Sequence, residues 1–186
     1  MDMATLRKYI KAILKEDFDK VYSTADYAHL GQKRRTGEPY IVHPERVSEI
    51  VSQYYPGNRV AQMTALLHDT LEDAIDLGNV ADEEEMIALI DDSIEDDSEA
   101  DEVINSVMAL TKPSGVEYES YLISILDMPN TLIVKLADML DNLTDNPSEK
   151  QIVKYGKALS LIEDHFGGRP SFISQSHWNE LMSSTN

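Results

Sequence analysis

The sequence predicts an all-α protein, an irregular helical bundle folded as a single domain. Apolar residues recur at helical spacing through most of the chain, prolines and glycines gather in short groups between those stretches, and no convincing strand pattern interrupts them. The 186 residues suit one domain over 1–186, and a hydrophobic share of 42% is enough to build a core without staples. The chain has no cysteine, so disulfides and thiolate metal sites are excluded and a reducing cytoplasm is allowed.

Taken in order, residues 4–18 read as an amphipathic helix with Leu6, Ile10, Ile13, Leu14 and Phe18 near helical spacing, and 19–29 as a second. GQKRRTGEP, with two glycines and a proline, reads as a solvated loop, its Arg34 flanked by glycines and without apolar neighbours. Pro44 suits the first turn of a helix running through Glu45–Tyr54, and PGN at 56–58 breaks it. Residues 59–73 read as the strongest helix, with Val60, Met63, Leu66 and Leu67 on its buried face. Between 76 and 102 there are thirteen Asp or Glu, and no Lys or Arg occurs between Arg59 and Lys112. That stretch is expected to be a solvated helix plus loop, since it carries no calcium-loop spacing. A helix resumes over 101–111, KPSG turns the chain, and helices follow over 117–127, 130–144 and 148–165, with Pro129 and Pro147 at boundaries. GGRP at 167–170 stops the last of these; 171–186 either add a short helix around Trp178 or fray.

The net charge is −18. Such a surface repels nucleic-acid backbones and anionic membranes, so neither is expected as a partner. The opening residues lack the apolar core of a signal peptide and no run is long enough to span a bilayer, which makes the cytoplasm the expected location. A phosphorylated small molecule is repelled too, unless a local cation overcomes the field. A metal ion and a few basic residues are the candidates.

Three segments carry residues suited to that task. In HDTLED at 68–73, helical spacing puts Glu72 beside His68 and Asp73 beside Asp69. In IVHPERV at 41–47, His43 follows an apolar pair. In VKLADML at 134–140, Asp138 sits inside an apolar helix with Asn142 one turn later on the same face. Each has a bland explanation taken alone: a polar helix side facing water, or a structural histidine. Together His43, His68, Asp69 and Asp138 make a set of two imidazoles and two carboxylates, which suits a divalent cation with positions left open for water and substrate. With no thiolate, manganese, iron or cobalt fit as well as zinc. Such an ion acidifies bound water and polarises a phosphoryl oxygen, and Glu72 or Asp73 can accept a proton or orient the water. Lys33, Arg34 and Arg35 form the densest basic cluster of the first half, and arginine suits both phosphate clamping and base stacking. Lys112 and Lys135 are cations in reserve.

HLGQKRRTGEPYIVHPERV, ALLHDTLEDA and VKLADMLDNL, in that order from about Tyr22 to Asp145, resemble the HD-type hydrolase domain of RelA/SpoT proteins, most of all the free-standing small alarmone hydrolases of the metazoan SpoT-homologue kind. The resemblance implies the HD-type helical fold, with helices from 148 to 186 added after the motif core. It implies removal of the 3′-pyrophosphate from guanosine tetra- and pentaphosphate, a small-molecule nucleotide substrate, and Mn2+ as the usual ion. By motif position it assigns the metal ligands to His43, His68, Asp69 and Asp138, the pair acting on water to Glu72 and Asp73, and nucleotide contacts to Arg34, with Arg35 beside it, and Asn142. Two departures stand out: Thr144 occupies a position where many relatives carry arginine, and LTKPSGVEYESYLISIL differs from the usual alarmone hydrolase. Alarmone synthesis is not expected from a chain of this length. Two alternatives stay open: a phosphohydrolase of another nucleotide (a 5′-mononucleotide or a dNTP), and a nucleotide sensor without catalysis. The sequence does not specify an oligomeric state.

Overall fold

The structure, a computed structural model, describes the backbone of residues 3–185, and the side chains of Thr5 and of 15–185. Among the described residues it is built from ten helices: α1 Met3–Ala28, α2 Val42–Tyr54, α3 Arg59–Leu67, α4 Thr70–Leu77, α5 Glu83–Ser93, α6 Asp97–Leu110, α7 Tyr118–Ile125, α8 Pro129–Thr144, α9 Glu149–Phe166 and α10 Gln175–Ser184. The all-α expectation holds, and the helices pack as a bundle of the HD-domain type. No described helix is long and apolar enough to cross a membrane.

The first two expected helices are one. Nothing between residues 4 and 28 is glycine or proline, so no residue forces a break, and α1 runs through. Its expected apolar positions Leu6, Ile10, Ile13 and Leu14 lie outside the described side chains, while Phe18 packs half-buried against the core. The 31–39 segment is a tight hairpin rather than an open loop. An isolated antiparallel bridge joins Lys33 to Pro39, Arg34 N–H donates to Glu38 O at 2.9 Å, and Tyr40 N–H donates to Gln32 O at 3.1 Å. Gly37 turns the chain at φ +90°, a conformation that favours glycine.

The helix expected over 59–73 is divided at His68 and Asp69. Two side chains take backbone carbonyls that would otherwise continue the ladder: the His68 ring bonds Ala65 O at 2.8 Å, and Thr70 Oγ1 donates to Leu67 O at 2.7 Å. The acidic stretch holds all of α5 and the start of α6, four residues earlier than its periodicity suggested. Asp82 and Asp96 cap the two helices by accepting from backbone N–H groups, and acidic first turns favour each N-terminus. Met86, Ile90, Val103 and Val107 are buried beneath the acids. The C-terminal stretch is helical, with Trp178 buried.

Two apolar clusters share α3 and α6. One joins α1, α4 and α5 around Met63, Leu67 and Met86. The other joins α2, α7, α9 and α10 around α8. α8 is buried on nearly every side, as an axial helix must be. Asp138 and Asp141 lie within it, both buried, so their charges need partners.

Candidate metal centre

Three elements bring the centre together. α2 presents His43 from its first turn, the joint between α3 and α4 presents His68 and Asp69, and α8 presents Asp138. Both histidines are oriented by their Nδ1 atoms. Asp141 accepts from His43 Nδ1 at 2.6 Å, and Ala65 O accepts from His68 Nδ1 at 2.8 Å. Each ring therefore turns Nε2 inward, the arrangement typical of metal-binding imidazoles. His43 Nε2 lies 3.3 Å from Asp138 Oδ1 and 3.7 Å from Asp69 Oδ2; His68 Nε2 lies 3.2 Å from Asp69 Oδ2 and 3.9 Å from Asp138 Oδ1.

His43, His68 and Asp69 offer ligand atoms within 4.8 Å of one another and form a group able to hold a metal ion. A buried atom points the same way: His68 Nε2 makes no hydrogen bond, although Asp69 Oδ2 lies 3.2 Å away, and a buried ring nitrogen left so is open to a ligand. Asp138 borders the group while accepting from Lys135 Nζ at 2.7 Å and Asn142 Nδ2 at 2.6 Å.

The charges are strongly interdependent. Burial alone would push the Asp69 carboxyl up, but the facing imidazoles outweigh it and hold it below its ordinary range. Burial is likewise outweighed at Asp138, where Lys135 and His43 hold the carboxyl well down. At His43 burial is outweighed by Asp138 and Asp141, which push it up to about 9. Glu72 and Asp73 behave oppositely: burial, then the neighbouring carboxylates, raise Glu72, and burial raises Asp73 against the opposing Gln32 hydrogen bond, with Asp69 adding to the rise.

Asp69, Asp138 and His43 line a cavity of about 730 Å³ whose wall also carries Lys33, Arg34, Arg35, Asn142 and Gln151. Seven of the nine residues selected from sequence are thus gathered at or against this cavity, with His68 beneath Asp69. Glu72 and Asp73 do not line it. They sit on the first turn of α4, Glu72 exposed and Asp73 half-buried. Arg34 is not the solvated arginine its sequence context suggested. Its side chain is only 11% exposed and ion-pairs with Asp145, with Asp141 3.9 Å away. Arg35 is exposed. Thr144 does not reach the cavity and donates to Asp141 O.

Sequence reasoning missed four side chains. Asp141 joins His43 to Arg46, whose Nε and Nη2 donate to it at 2.6 and 3.1 Å. Its spacing from Asp138, one helical turn inside an apolar segment, was the available signal. Tyr40 donates to Asp69 Oδ2 at 2.7 Å. Gln32 accepts from His29 Nδ1 at 2.8 Å and donates to Asp73 Oδ2 at 3.0 Å, tying Asp73 to the hairpin. No local pattern marks these three, because their partners lie on other elements.

No protein-family model matches the chain. Individual relatives do. The chain is 30% identical over 138 residues to a guanosine-3′,5′-bis(diphosphate) 3′-pyrophosphohydrolase of Aquifex aeolicus, covering 69% of this chain and 17% of the relative. It is 30% identical over 150 residues to a probable GTP pyrophosphokinase of Mycobacterium leprae, covering 77% and 18%. It is 29% identical over 146 residues to a guanosine-3′,5′-bis(diphosphate) 3′-pyrophosphohydrolase of Borreliella burgdorferi, covering 74% and 21%. The chain spans about a fifth of the length of these curated relatives. With the three sequence blocks in order on a helical bundle, these relationships place the chain in the RelA/SpoT family.

Proposed function

We propose that the chain is a metal-dependent phosphohydrolase that removes the 3′-pyrophosphate of guanosine tetra- or pentaphosphate, leaving GDP or GTP and pyrophosphate. The observation that carries this reading is the convergence of two Nε2 atoms and two carboxylates on one wall of a cavity lined by Lys33, Arg34 and Arg35. The donors fit a divalent ion of the Mn2+ type, with Zn2+, Fe2+ or Co2+ as alternatives, and His43, His68, Asp69 and Asp138 would hold it. Such an ion supplies Lewis acidity toward a phosphoryl oxygen and acidifies water.

The remaining work falls to the chain's own side chains. Water adds to the phosphorus next to the ribose, the bond from that phosphorus to the 3′-oxygen breaks, and the 3′-oxygen leaves with a proton as hydroxyl. Asp73 is the better placed of the two carboxylates to take the water's proton. Gln32 holds it by an N–H donor, and its carboxyl sits above the ordinary range, nearer the working pH. Glu72 lies farther out and shares the role of orienting water. Arg35 and Lys33 face the nucleotide from the rim, and Asn142 supports Asp138 while lining the cavity. The names of the pyrophosphohydrolase relatives support hydrolysis; those of the pyrophosphokinases support the nucleotide class alone.

Incubation with guanosine tetraphosphate and Mn2+, with product identification, tests the reading. GDP plus pyrophosphate is expected. Faster cleavage of GTP, dATP or 5′-GMP under the same conditions would transfer the assignment to a general nucleotide phosphohydrolase. Binding without turnover of any of them would leave a sensor.

A further inference from the structure

We propose that the groove between α7 and α9 is a second anion subsite, which takes a phosphate group of the substrate other than the one held at the metal. This assignment of the occupant rests on the hydrolase reading above; the subsite itself does not.

Lys150, Lys154 and Lys157 stand at i, i+4 and i+7 on α9 and therefore share one helix face. They line a groove of about 530 Å³ opposite Tyr118 and Ser120 of α7. That size lies within the range of small-molecule pockets. The chain has 34 acidic residues against 16 basic ones, so a surface lysine here has every opportunity to find a carboxylate. Lys20, on the far side, pairs with both Glu16 and Glu95. Among the described residues, Lys150, Lys154 and Lys157 form no ion pair within 4.0 Å, although Glu117 and Glu119 also line the groove.

Lys154 instead rests its ammonium 3.9 Å from the centre of the Tyr118 ring and 5.3 Å from that of Tyr155. An aromatic face stabilises a partly desolvated cation but leaves its charge uncompensated. Burial, then the neighbouring Lys135, lower the Lys154 ammonium below its ordinary range, with Lys112 and Lys150 adding to the effect. Like charges four residues apart destabilise a helix. A row of them kept together, beside aromatic rings and without a closed ion pair, gains its stabilisation when an anion arrives.

The groove also shares a helix with the metal cavity. α9 borders both hollows: Gln151 lines the metal cavity, and its neighbours Lys150 and Lys154 line the groove. Lys135 is ion-paired to Asp138 and close to the Tyr121 ring. On the opposite rim, Arg34 is already engaged by Asp145. The cations available to a second phosphate group are therefore Lys33 and Arg35 at the hairpin and the lysine row of α9, and the row alone has a groove of its own. In a protein of net charge −18 this local positive field lets a polyanion approach.

Two arms test the assignment. In the first, the chelator-treated full chain is titrated calorimetrically with inorganic pyrophosphate, which needs neither metal nor turnover. Wild type is expected to bind, and the Lys150→Ala/Lys154→Ala double variant to bind about tenfold more weakly or worse, the scale of losing charge-assisted hydrogen bonds. Lys20→Ala should match wild type. Helix content by circular dichroism guards against unfolding, and Lys154→Gln, which keeps the stem over Tyr118, should weaken binding in the same direction. Equal affinity in wild type and double variant would overturn the subsite.

In the second arm, KM is compared for a nucleotide phosphorylated at two positions and one phosphorylated at a single position. The double variant should raise KM for the first far more than for the second. An equal rise for both would overturn the assignment of the occupant. So would turnover that depends on added free phosphate and loses that dependence in the double variant, since the ligand would then be a free anion. Failure of the hydrolase reading leaves the first arm decisive.

Discussion

Asp141 accepts the Nδ1 proton of His43 across 2.6 Å, although 98 positions separate the two in sequence. That single bond fixes which ring nitrogen faces Asp69 and Asp138. The bidentate grip of Arg46 on the same carboxylate keeps it charged: burial would raise the Asp141 carboxyl, but His43 and Arg46 outweigh it and hold it down.

Replacing Asp141 should therefore weaken metal binding at the candidate centre without touching a proposed ligand. Asp141→Asn can still hydrogen-bond but no longer stabilises the tautomer by charge. A loss of roughly 10–100-fold in metal affinity is expected, the usual scale for a partner behind a ligand. Metal titration of the apoprotein measures it, and unchanged affinity would show that His43 is oriented without Asp141.

Ligands and proton acceptors should separate by substitution. Asp69→Ala is expected to abolish metal retention and activity together. Asp73→Asn should keep the metal and lose about 10²–10⁴ in rate, the range for removing a group that transfers a proton, with Glu72→Gln also retaining metal but losing less. Elemental analysis of each purified variant alongside its turnover decides this. An empty site in Asp73→Asn would move Asp73 into the ligand shell.

Arg34→Ala should lower stability as well as substrate affinity. The side chain is nearly enclosed and is shared between Asp145 and the edge of Asp141. Its removal leaves Asp141 one cation poorer and frees the hairpin from α8. A cost of about 1–2 kcal/mol is expected, which for a chain of this size is a fall of roughly 2–8 °C in Tm. A melting curve superimposable on wild type would return Arg34 to a purely substrate-facing role.

Stability should fall in mild acid through His177. Its ring is fully buried, stacked on Tyr54 at 4.8 Å and bonded to the Tyr55 hydroxyl at 2.9 Å, and burial pushes it down to about 4. Unfolded, the same ring titrates near 6.5. The unfolded state therefore binds the extra proton first, and stability is lost as pH falls from about 6.5 toward 4. Near and below the lower limit the cost reaches about 3 kcal/mol. Urea unfolding at pH 7 and pH 5 should show a smaller drop for His177→Asn than for wild type. Equal drops in the two proteins would place the acid sensitivity elsewhere.

The sequence by itself determined the helical class, nearly all the helix boundaries set by proline and glycine, and His43, His68 and Asp69, which the fold brings together as a group able to hold a metal. Those features are local: helical periodicity, breakers and a motif are written in adjacent residues. The structure showed that the strongest expected helix divides at His68 and Asp69, because side-chain bonds to backbone carbonyls compete there with the ladder. It alone joined Asp141 to His43, Gln32 to Asp73 and Arg34 to Asp145. It also set Lys154 over the Tyr118 ring, with Lys150 and Lys157 lining the same groove. These cross-helix contacts depend on which surfaces of distant helices meet, and charge spacing along one segment carries no record of the segment it will face.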